Sequence, residues 1–149
     1  MKIINRSIVL VLVLTSLLLA GCGSRGIPVT GPAKVKPVAL EPIEGSELQR
    51  LTLTEKAAQR IDLQTASVTT RTINGSSRDV MPYAALIYDT EGNTWVYTNP
   101  EPLKFVREPV DVDYITGDDV ILAKRWSSKA PVVTVGVAEL YGAETGVSK

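Results

Sequence analysis

The chain offers few side chains that could carry out catalysis. It contains no histidine, which removes the usual general base, the usual proton shuttle and the most common metal ligand. Its single cysteine cannot form an intrachain disulfide or a cysteine-built zinc site. No serine stands in a Gly-x-Ser-x-Gly nucleophile elbow, and no glycine cluster matches a phosphate-binding fingerprint. We therefore expect a protein that binds or holds a partner and is not an enzyme.

Two groups of carboxylates suggest chemistry but fit turns better. The loop that starts at Asp89 resembles a calcium loop, yet Thr94 replaces its turn glycine and Pro100 replaces its bidentate glutamate. Asp118 and Asp119 could form an acid–base or metal pair, although adjacent carboxylates after a glycine are typical of a solvated turn. We expect a hairpin turn at the first place, a solvated turn at the second, and neither a metal nor a cofactor.

Aromatic and basic residues supply the candidates for contact with a partner, namely Trp95, Tyr97, Lys124, Arg125 and Trp126. Tryptophan and tyrosine are favoured at the energetic centres of interfaces. Trp95 and Tyr97 belong to a predicted strand, which favours a core position for both. Trp126 follows two basic residues in a predicted loop. The sequence does not decide between a buried and an exposed position for its side chain.

The N-terminal end has the features of a bacterial export signal. Lys2 and Arg6 provide a positive start, and residues 8–20 are apolar apart from one threonine and one serine. This run is shorter than the roughly 20 apolar residues that a spanning helix needs. It ends in Leu-Ala-Gly-Cys at residues 19–22, which resembles the lipobox of bacterial lipoproteins. We therefore expect cleavage before Cys22 and lipidation of its thiol, with acyl chains that anchor the protein in a membrane.

Charge argues against a nucleic-acid partner. Sixteen lysines and arginines balance sixteen aspartates and glutamates, whereas binding through a basic surface needs a clear cationic excess. Lys2 and Arg6 leave with the signal and no acidic residue does, so the mature chain is slightly acidic. In enterobacterial lipoproteins an aspartate after the lipidated cysteine favours the inner membrane. Gly23 stands there instead, which favours the outer membrane, with the domain in the periplasm.

The sequence predicts three parts: a signal peptide over residues 1–21, a tether over 22–47 and a folded β domain over 48–149. Prolines every four or five residues, together with several glycines, favour an extended spacer for the tether. About six short β-prone runs follow. They indicate an all-β fold, mainly antiparallel and arranged as a small barrel or sandwich, with one short N-terminal helix.

The predicted helix covers residues 53–61. Thr52 and Glu55 have the spacing of a capping box, with Thr52 as the N-cap. Asp62 could end the helix because aspartate tolerates left-handed backbone geometry better than most residues.

The predicted strands cover residues 63–72, 80–88, 94–98, 104–115, 120–123 and 132–135. The second and third are expected to form a hairpin across a glycine-containing turn. The fourth shows the clearest alternation, with apolar residues from Val106 to Tyr114 on one face, and its Pro109 indicates an edge or a bulge. A single helical turn is expected over residues 138–141.

Four stretches span most of residues 51–146. They are 53–66 (LTEKAAQRIDLQTA), 81–97 (with MPYAALIYD and TWVY), 105–118 (with REPV) and 132–144 (VVTVGVAELYGAE). By their order and combined length they resemble the periplasmic adaptor subunits, or membrane-fusion proteins, of resistance-nodulation-division efflux pumps. In that family these segments build the membrane-proximal domain, a small β-structure next to the pump.

The resemblance has two departures. An adaptor inserts a β-barrel, a lipoyl-like domain and a helical hairpin between the first two stretches, whereas here only residues 68–80 connect them. Residues 125–131 replace a turn that in the family usually contains glycine and aspartate. The resemblance therefore implies a membrane-proximal domain alone on a lipid tether, without the parts that bridge a pump to its outer-membrane channel.

This resemblance implies a lipid-anchored periplasmic interaction module that docks on a transporter or an adaptor of an efflux system as an accessory or modulatory subunit. Two alternatives stay open, a small-ligand binder for lipid or drug and a structural envelope lipoprotein. An apolar pocket with a few convergent polar groups would favour ligand binding, and a fully packed core would count against it. The expected partners are thus a membrane and a transport protein, and not nucleic acid.

Overall fold

The computed structural model describes residues 36–146, so the signal peptide, Cys22 and most of the predicted tether lie outside the described residues. The strands are β1 Val38–Pro42, β2 Gln49–Leu53, β3 Gln64–Ala66, β4 Thr69–Ile73, β5 Ser76–Pro82, β6 Ile87–Tyr88, β7 Thr94–Glu101, β8 Lys104–Pro109, β9 Val112–Thr116, β10 Asp119–Leu122 and β11 Val132–Val135. The helices are α1 Glu55–Arg60 and α2 Val137–Thr145, and a 3-10 turn, Tyr83–Ala85, connects β5 to β6. Neither α helix of this part of the chain is long and apolar enough to span a membrane.

The strands form two antiparallel sheets. The larger has the order β1-β2-β8-β7-β11-β3, with β6 also paired to β7, and the smaller has the order β4-β5-β10-β9. The prediction of a mainly antiparallel β fold is confirmed. Over residues 36–146 neither sheet closes into a barrel, so the barrel alternative is wrong. The strands also outnumber the six predicted, because three predicted runs each divide between the sheets and β1 and β2 were not predicted as strands.

The larger sheet is covered on both faces. The first core, between this sheet and the helices, contains Leu51, Leu53, Ile87, Tyr97, Phe105, Val133 and Leu140. The second core, between the two sheets, contains Met81, Ala85, Val96, Val110, Val120, Leu122 and Val132. Val96 and Tyr97 are neighbours in β7 and both are fully buried, one in each core. Strand β7 is therefore the centre of a three-layer arrangement.

The short helix α1 is present where the sequence predicts it, but its N-cap is different. Thr54 Oγ1 accepts a hydrogen bond from the backbone N–H of Ala57 at 3.2 Å. The predicted cap, Thr52, instead pairs with Lys104 as part of β2. Asp62 follows the helix with a left-handed φ of 48°, as predicted.

The longest helix, α2, lies at the C-terminal end, where the sequence predicted only one turn. Its nine residues include Leu140 and Glu144, which are buried against the larger sheet and its neighbours. The predicted position of the main helix was therefore wrong. The sequence pattern indicates only a short helical segment here, and packing against the sheet stabilises further helical turns.

Three predicted strands change sheet partway along. The run over residues 80–88 divides into the end of β5 in the smaller sheet and β6 in the larger. The run over residues 63–72 divides into β3 in the larger sheet and β4 in the smaller. The run over residues 104–115 divides after Pro109 into β8 and β9, and Tyr114 is exposed rather than part of one buried face. Pro109, at which the sequence predicted an edge or a bulge, is the last residue of β8, and the chain crosses between the sheets after it.

The folded domain begins earlier than residue 48. Strand β1 falls within the predicted tether, yet it pairs along its whole length with β2, from Val38 opposite Leu53 to Pro42 opposite Gln49. Its prolines lie at the strand's end and just before it, where a missing N–H does not interrupt a central ladder. The predicted hairpin is confirmed, since Ile87 pairs with Trp95 across β6 and β7.

We expect Gly136→Ala to destabilise the domain more than Gly75→Ala does. Both glycines have positive φ, 90° and 76°, so each alanine incurs backbone strain of about 1–2 kcal/mol. At Gly136 the added Cβ would also lie 2.9 Å from Ile61 Cδ1, whereas nothing lies within 4 Å at Gly75. Urea unfolding should show an additional loss of about 1 kcal/mol or more for Gly136→Ala. Equal losses would mean that Ile61 moves aside freely.

Candidate functional site

Four of the five predicted contact residues line one connected groove. Its larger part, of about 830 Å³, is lined by residues 92–95, 109–112, 123 and 124, which include Trp95 and Lys124. A smaller part, of about 270 Å³, shares Lys124 and residues 109–111 with it and is also lined by Arg125 and Trp126. We call these two parts together the docking groove.

The floor of the docking groove is the segment in which the chain crosses from β8 to β9. Val110 is buried in the second core, and its N–H donates to Thr94 O at 3.0 Å. The Thr94 hydroxyl donates in turn to Val110 O at 2.6 Å. The N–H of Ala123 donates to Asp111 O at 2.8 Å. These bonds hold the crossing segment to β7 and to the end of β10, so the floor is a fixed surface.

The indole of Trp95 is held from two sides. Its Nε1–H donates to Asp89 Oδ2 at 2.9 Å, and the Arg107 guanidinium lies over the ring at 4.6 Å from the centroid. Trp95 is half-buried and packs against the first core while it also lines the docking groove. It is therefore a rigid residue at the margin of the groove.

The loop at Asp89 is a hydrogen-bonded turn, as predicted. Asp89 Oδ1 accepts from the N–H groups of Glu91 and Asn93 at 2.9 and 2.8 Å, and Oδ2 accepts from the Asn93 side-chain amide at 2.9 Å. These bonds, with that from Asn93 first and that from Trp95 next, lower the pKa of Asp89 to about 2. Both carboxylate oxygens are thus used within the turn.

Of the second carboxylate pair, Asp118 lies in a turn, as predicted, whereas Asp119 is the first residue of β10 and is half-buried. Gly117 has a φ of 57°, and the N–H of Tyr83 donates to Asp118 O at 2.8 Å. The Asp119 carboxylate pairs with Arg71 across the smaller sheet. Within residues 36–146 no three residues among His, Cys, Asp and Glu are placed to hold a metal ion.

Trp126 is anchored by a buried carboxylate that sequence reasoning missed. Asp79 is 5% exposed, and its Oδ2 accepts from the backbone N–H of Trp126 at 2.8 Å. Its Oδ1 accepts from the Thr70 hydroxyl at 2.7 Å and lies 3.2 Å from Arg125 Nη1. The hydrogen bond from Thr70 lowers the pKa of Asp79, and those from Trp126 and the Arg125 charge act in the same direction against burial.

These contacts answer the open question about Trp126. Its ring is half-buried and packs against the second core, while the side chains of Lys124 and Arg125 beside it are 79% and 66% exposed. Lys124 Nζ lies 2.6 Å from Asp111 at the surface. The basic loop therefore presents two cations to solvent next to a half-buried tryptophan whose backbone N–H is hydrogen-bonded to Asp79.

Tyr97 has the core position that its predicted strand favoured, so as a candidate for contact with a partner it was wrong. It is fully buried in the first core, because its strand is covered on both faces. Its hydroxyl donates to Glu144 Oε2 on α2, and Arg107 Nε lies 3.2 Å from the same oxygen. Burial raises the pKa of Tyr97, and the Glu144 carboxylate raises it further.

Arg107 connects this buried pair to the docking groove. It lies opposite Tyr97 across β7 and β8, and its guanidinium lies over the rings of Trp95 and Tyr141 at 4.6 and 5.6 Å. Its side chain is 14% exposed, so the charge is largely withdrawn from water. Sequence patterns give no signal for this cluster because its members come from three separate elements.

Comparison of the chain with models of protein families, with curated proteins and with solved structures found no match. A function is therefore inferred from the residues and the geometry described above.

We expect the stability that Asp89 contributes to depend on pH. Because its pKa falls from 3.8 to about 2 on folding, the contribution is present above about pH 4 and is lost as the pH falls through about 2. Asp89→Asn keeps the side-chain shape without the charge. Urea unfolding should show the variant less stable than the wild type at pH 7, and the gap should shrink between pH 4 and pH 2. A gap that does not change with pH would contradict this.

We expect Tyr97→Phe to lower the free energy of unfolding by about 1–3 kcal/mol, because the buried Glu144 carboxylate loses a hydrogen-bond donor. Tyr88→Phe is the matched control, since Tyr88 is 50% exposed, and its effect should stay within about 0.5 kcal/mol. Urea unfolding of both variants measures the difference. A Tyr97→Phe variant as stable as the control would show that the hydroxyl is not needed.

Proposed function

We propose that this protein is a lipid-anchored periplasmic interaction module that docks on a transporter or on an adaptor of an efflux assembly as an accessory subunit. The observation that carries this proposal is the docking groove, which gathers Trp95, Lys124, Arg125 and Trp126 on one connected surface. The sequence resemblance to the membrane-proximal domain of adaptor subunits supplies the class of partner.

The chemistry of the docking groove suits a protein partner. Aromatic and arginine side chains are enriched at the centres of interfaces, and rigid ones lose little conformational entropy on binding. The indole of Trp95 is held by its hydrogen bond to Asp89, and the backbone of Trp126 is held by its hydrogen bond to Asp79, before any partner arrives. Lys124 is held only by a solvent-exposed pair with Asp111, which it can exchange for a partner's carboxylate.

The predicted anchor keeps the domain near a membrane. Cys22 lies outside the described residues, and thirteen residues lie between it and Lys36, where the described chain begins. Fully extended, such a segment spans at most about 50 Å. This limit is shorter than that of the whole predicted tether, because β1 belongs to the folded domain. The docking groove would thus stay within reach of the periplasmic part of a membrane transporter.

A photo-crosslinking amino acid in place of Lys124, in the full-length lipoprotein in its own host, tests this proposal. We expect a covalent adduct whose partner is identified by mass spectrometry as a subunit of a transporter or an adaptor. The matched control places the crosslinker at Arg50, which is 44% exposed and does not line the groove. Equal adducts from both positions, or a partner outside any transport assembly, would overturn the proposal.

Charge reversal gives a second measure of the same interaction. Lys124→Glu should reduce co-purification of the partner several-fold, whereas Arg50→Glu should leave it unchanged. Thermal unfolding of both variants checks that the domain stays folded, which we expect because both side chains are exposed.

A further inference from the structure

Two adjoining cavities lie beside α1 and share no lining residue with the docking groove. The first, of about 170 Å³, is lined almost wholly by apolar atoms from β1, β2, α1 and α2, among them Leu53, Ile61 and Leu140. The second, of about 350 Å³, is lined by Thr54, Lys56 and Arg60 together with the apolar residues Pro37 and Ala57, and we call it the cationic cavity after its two positive charges. Pro37 and Ala57 line both cavities, so the two adjoin at these residues.

The helical repeat of α1 produces this division. Residues four apart lie on the same face of a helix. Ala57 and Ile61 therefore line the apolar cavity, while Lys56 and Arg60 lie together on the neighbouring face. Lys56 and Arg60 each come directly before a residue of the apolar face, so a pair of positive charges lies beside a hydrocarbon-like surface.

The apolar cavity has fixed walls. Leu53 and Leu140 are buried members of the first core, and Ile61 packs against the backbone of Gly136, where a Cβ atom would lie 2.9 Å away. An apolar cavity of about 150 Å³ in another protein stays dry and binds benzene. A cavity of about 170 Å³ therefore has room for roughly six carbon atoms.

The cationic cavity lacks a counter-charge within the described part of the chain. Lys56 and Arg60 are both exposed, and neither forms an ion pair with another residue between Lys36 and Gly146. Like charges four residues apart on a helix repel one another. An anion between the two would remove this repulsion and gain two charge-assisted contacts. Glu139 is the charged residue that lines the apolar cavity, and it is exposed.

We propose that the adjoining cavities bind an anionic amphiphile with one straight alkyl chain. About six carbons of the chain fill the apolar cavity, and a carboxylate or phosphate head group lies between Lys56 and Arg60. This site is independent of the docking groove and of the function proposed for it.

The ligand is a monomer taken from water rather than a lipid in a bilayer. Each methylene that moves from water into an apolar site contributes about 0.8 kcal/mol. A chain already in the hydrocarbon of a bilayer gains almost nothing from entering another apolar site, because lipid tails are as apolar as the cavity wall. A cavity that holds about six carbons therefore favours a free amphiphile of short or medium chain length.

Isothermal titration calorimetry of the mature chain with Cys22→Ser, which removes only the predicted anchor, tests the proposal with sodium octanoate. From butanoate to hexanoate the affinity should rise about fourfold per methylene and then level off, because the cavity is full. Octanol, which lacks the charge, should bind about three- to thirtyfold more weakly than octanoate.

Three variants separate the two parts of the site. Ala143→Leu places extra carbons in the apolar cavity and should lower the affinity for both octanoate and octanol at least tenfold. The double variant Lys56→Gln/Arg60→Gln, at exposed positions, should lower the affinity for octanoate to that for octanol. The affinity for octanol should stay unchanged. The matched control Lys124→Gln/Lys129→Gln removes the same charge at two exposed positions of the loop beside the docking groove and should change neither.

Several outcomes would overturn this proposal. The first is that octanoate and octanol bind with the same affinity, both to the wild type and to Lys56→Gln/Arg60→Gln. The second is that octanoate binds Ala143→Leu with the affinity that it has for the wild type. Binding to phosphatidylglycerol vesicles through Lys56 and Arg60, without binding of monomeric octanoate, would assign the surface to membrane contact instead. None of these results bears on crosslinking from Lys124, so this site and the proposed docking function fail separately.

Discussion

Strand β7 has to be shielded from water on both faces. Val96 and Tyr97 are successive residues, both fully buried, and their side chains point in opposite directions. Burial of each such side chain contributes about 1.5–3 kcal/mol. A single sheet cannot provide this shielding, so the helices cover one face and the smaller sheet covers the other. The chain must then cross between sheets after Pro109, and that crossing segment forms the floor of the docking groove.

The polar cluster around Glu144 follows from the same burial. The Tyr97 hydroxyl lies in an apolar layer and needs a hydrogen-bond partner there, which Glu144 provides. A buried carboxylate needs a positive charge in its turn, and Arg107 supplies it at 3.2 Å. Arg107 is then placed over Trp95, at 4.6 Å from the centroid of its ring. A series of contacts therefore links the core, the C-terminal helix and the margin of the docking groove.

The sequence predicted local features better than the path of the chain. The turn at Asp89 and the helix ending at Asp62 are set by residues close together in sequence, and both are confirmed. The alternation from Val106 to Tyr114 continues through the crossing at Pro109, because periodicity indicates burial but not the sheet to which a residue belongs. Strand β1 was assigned to the tether because its pairing with β2 leaves no signal in a proline-rich segment. Among the contact candidates, the core position favoured for Tyr97 by its strand is confirmed, but no local pattern shows that α2 is the element that covers it.

The layers on either side of the larger sheet also explain why the two candidate sites differ. Two sheets joined by short crossings leave a groove whose floor is hydrogen-bonded backbone, and such a floor suits the side chains of a protein partner. Helices that pack on a sheet through small residues leave a gap at the place where a larger side chain would have filled the space. Ala57 and Ala143 occupy those positions between α1 and α2, so the gap is apolar and has room for an alkyl chain but not for a protein segment. The gap and the groove share no lining residue, so the ligand proposed for the one would not occupy the surface proposed for the other.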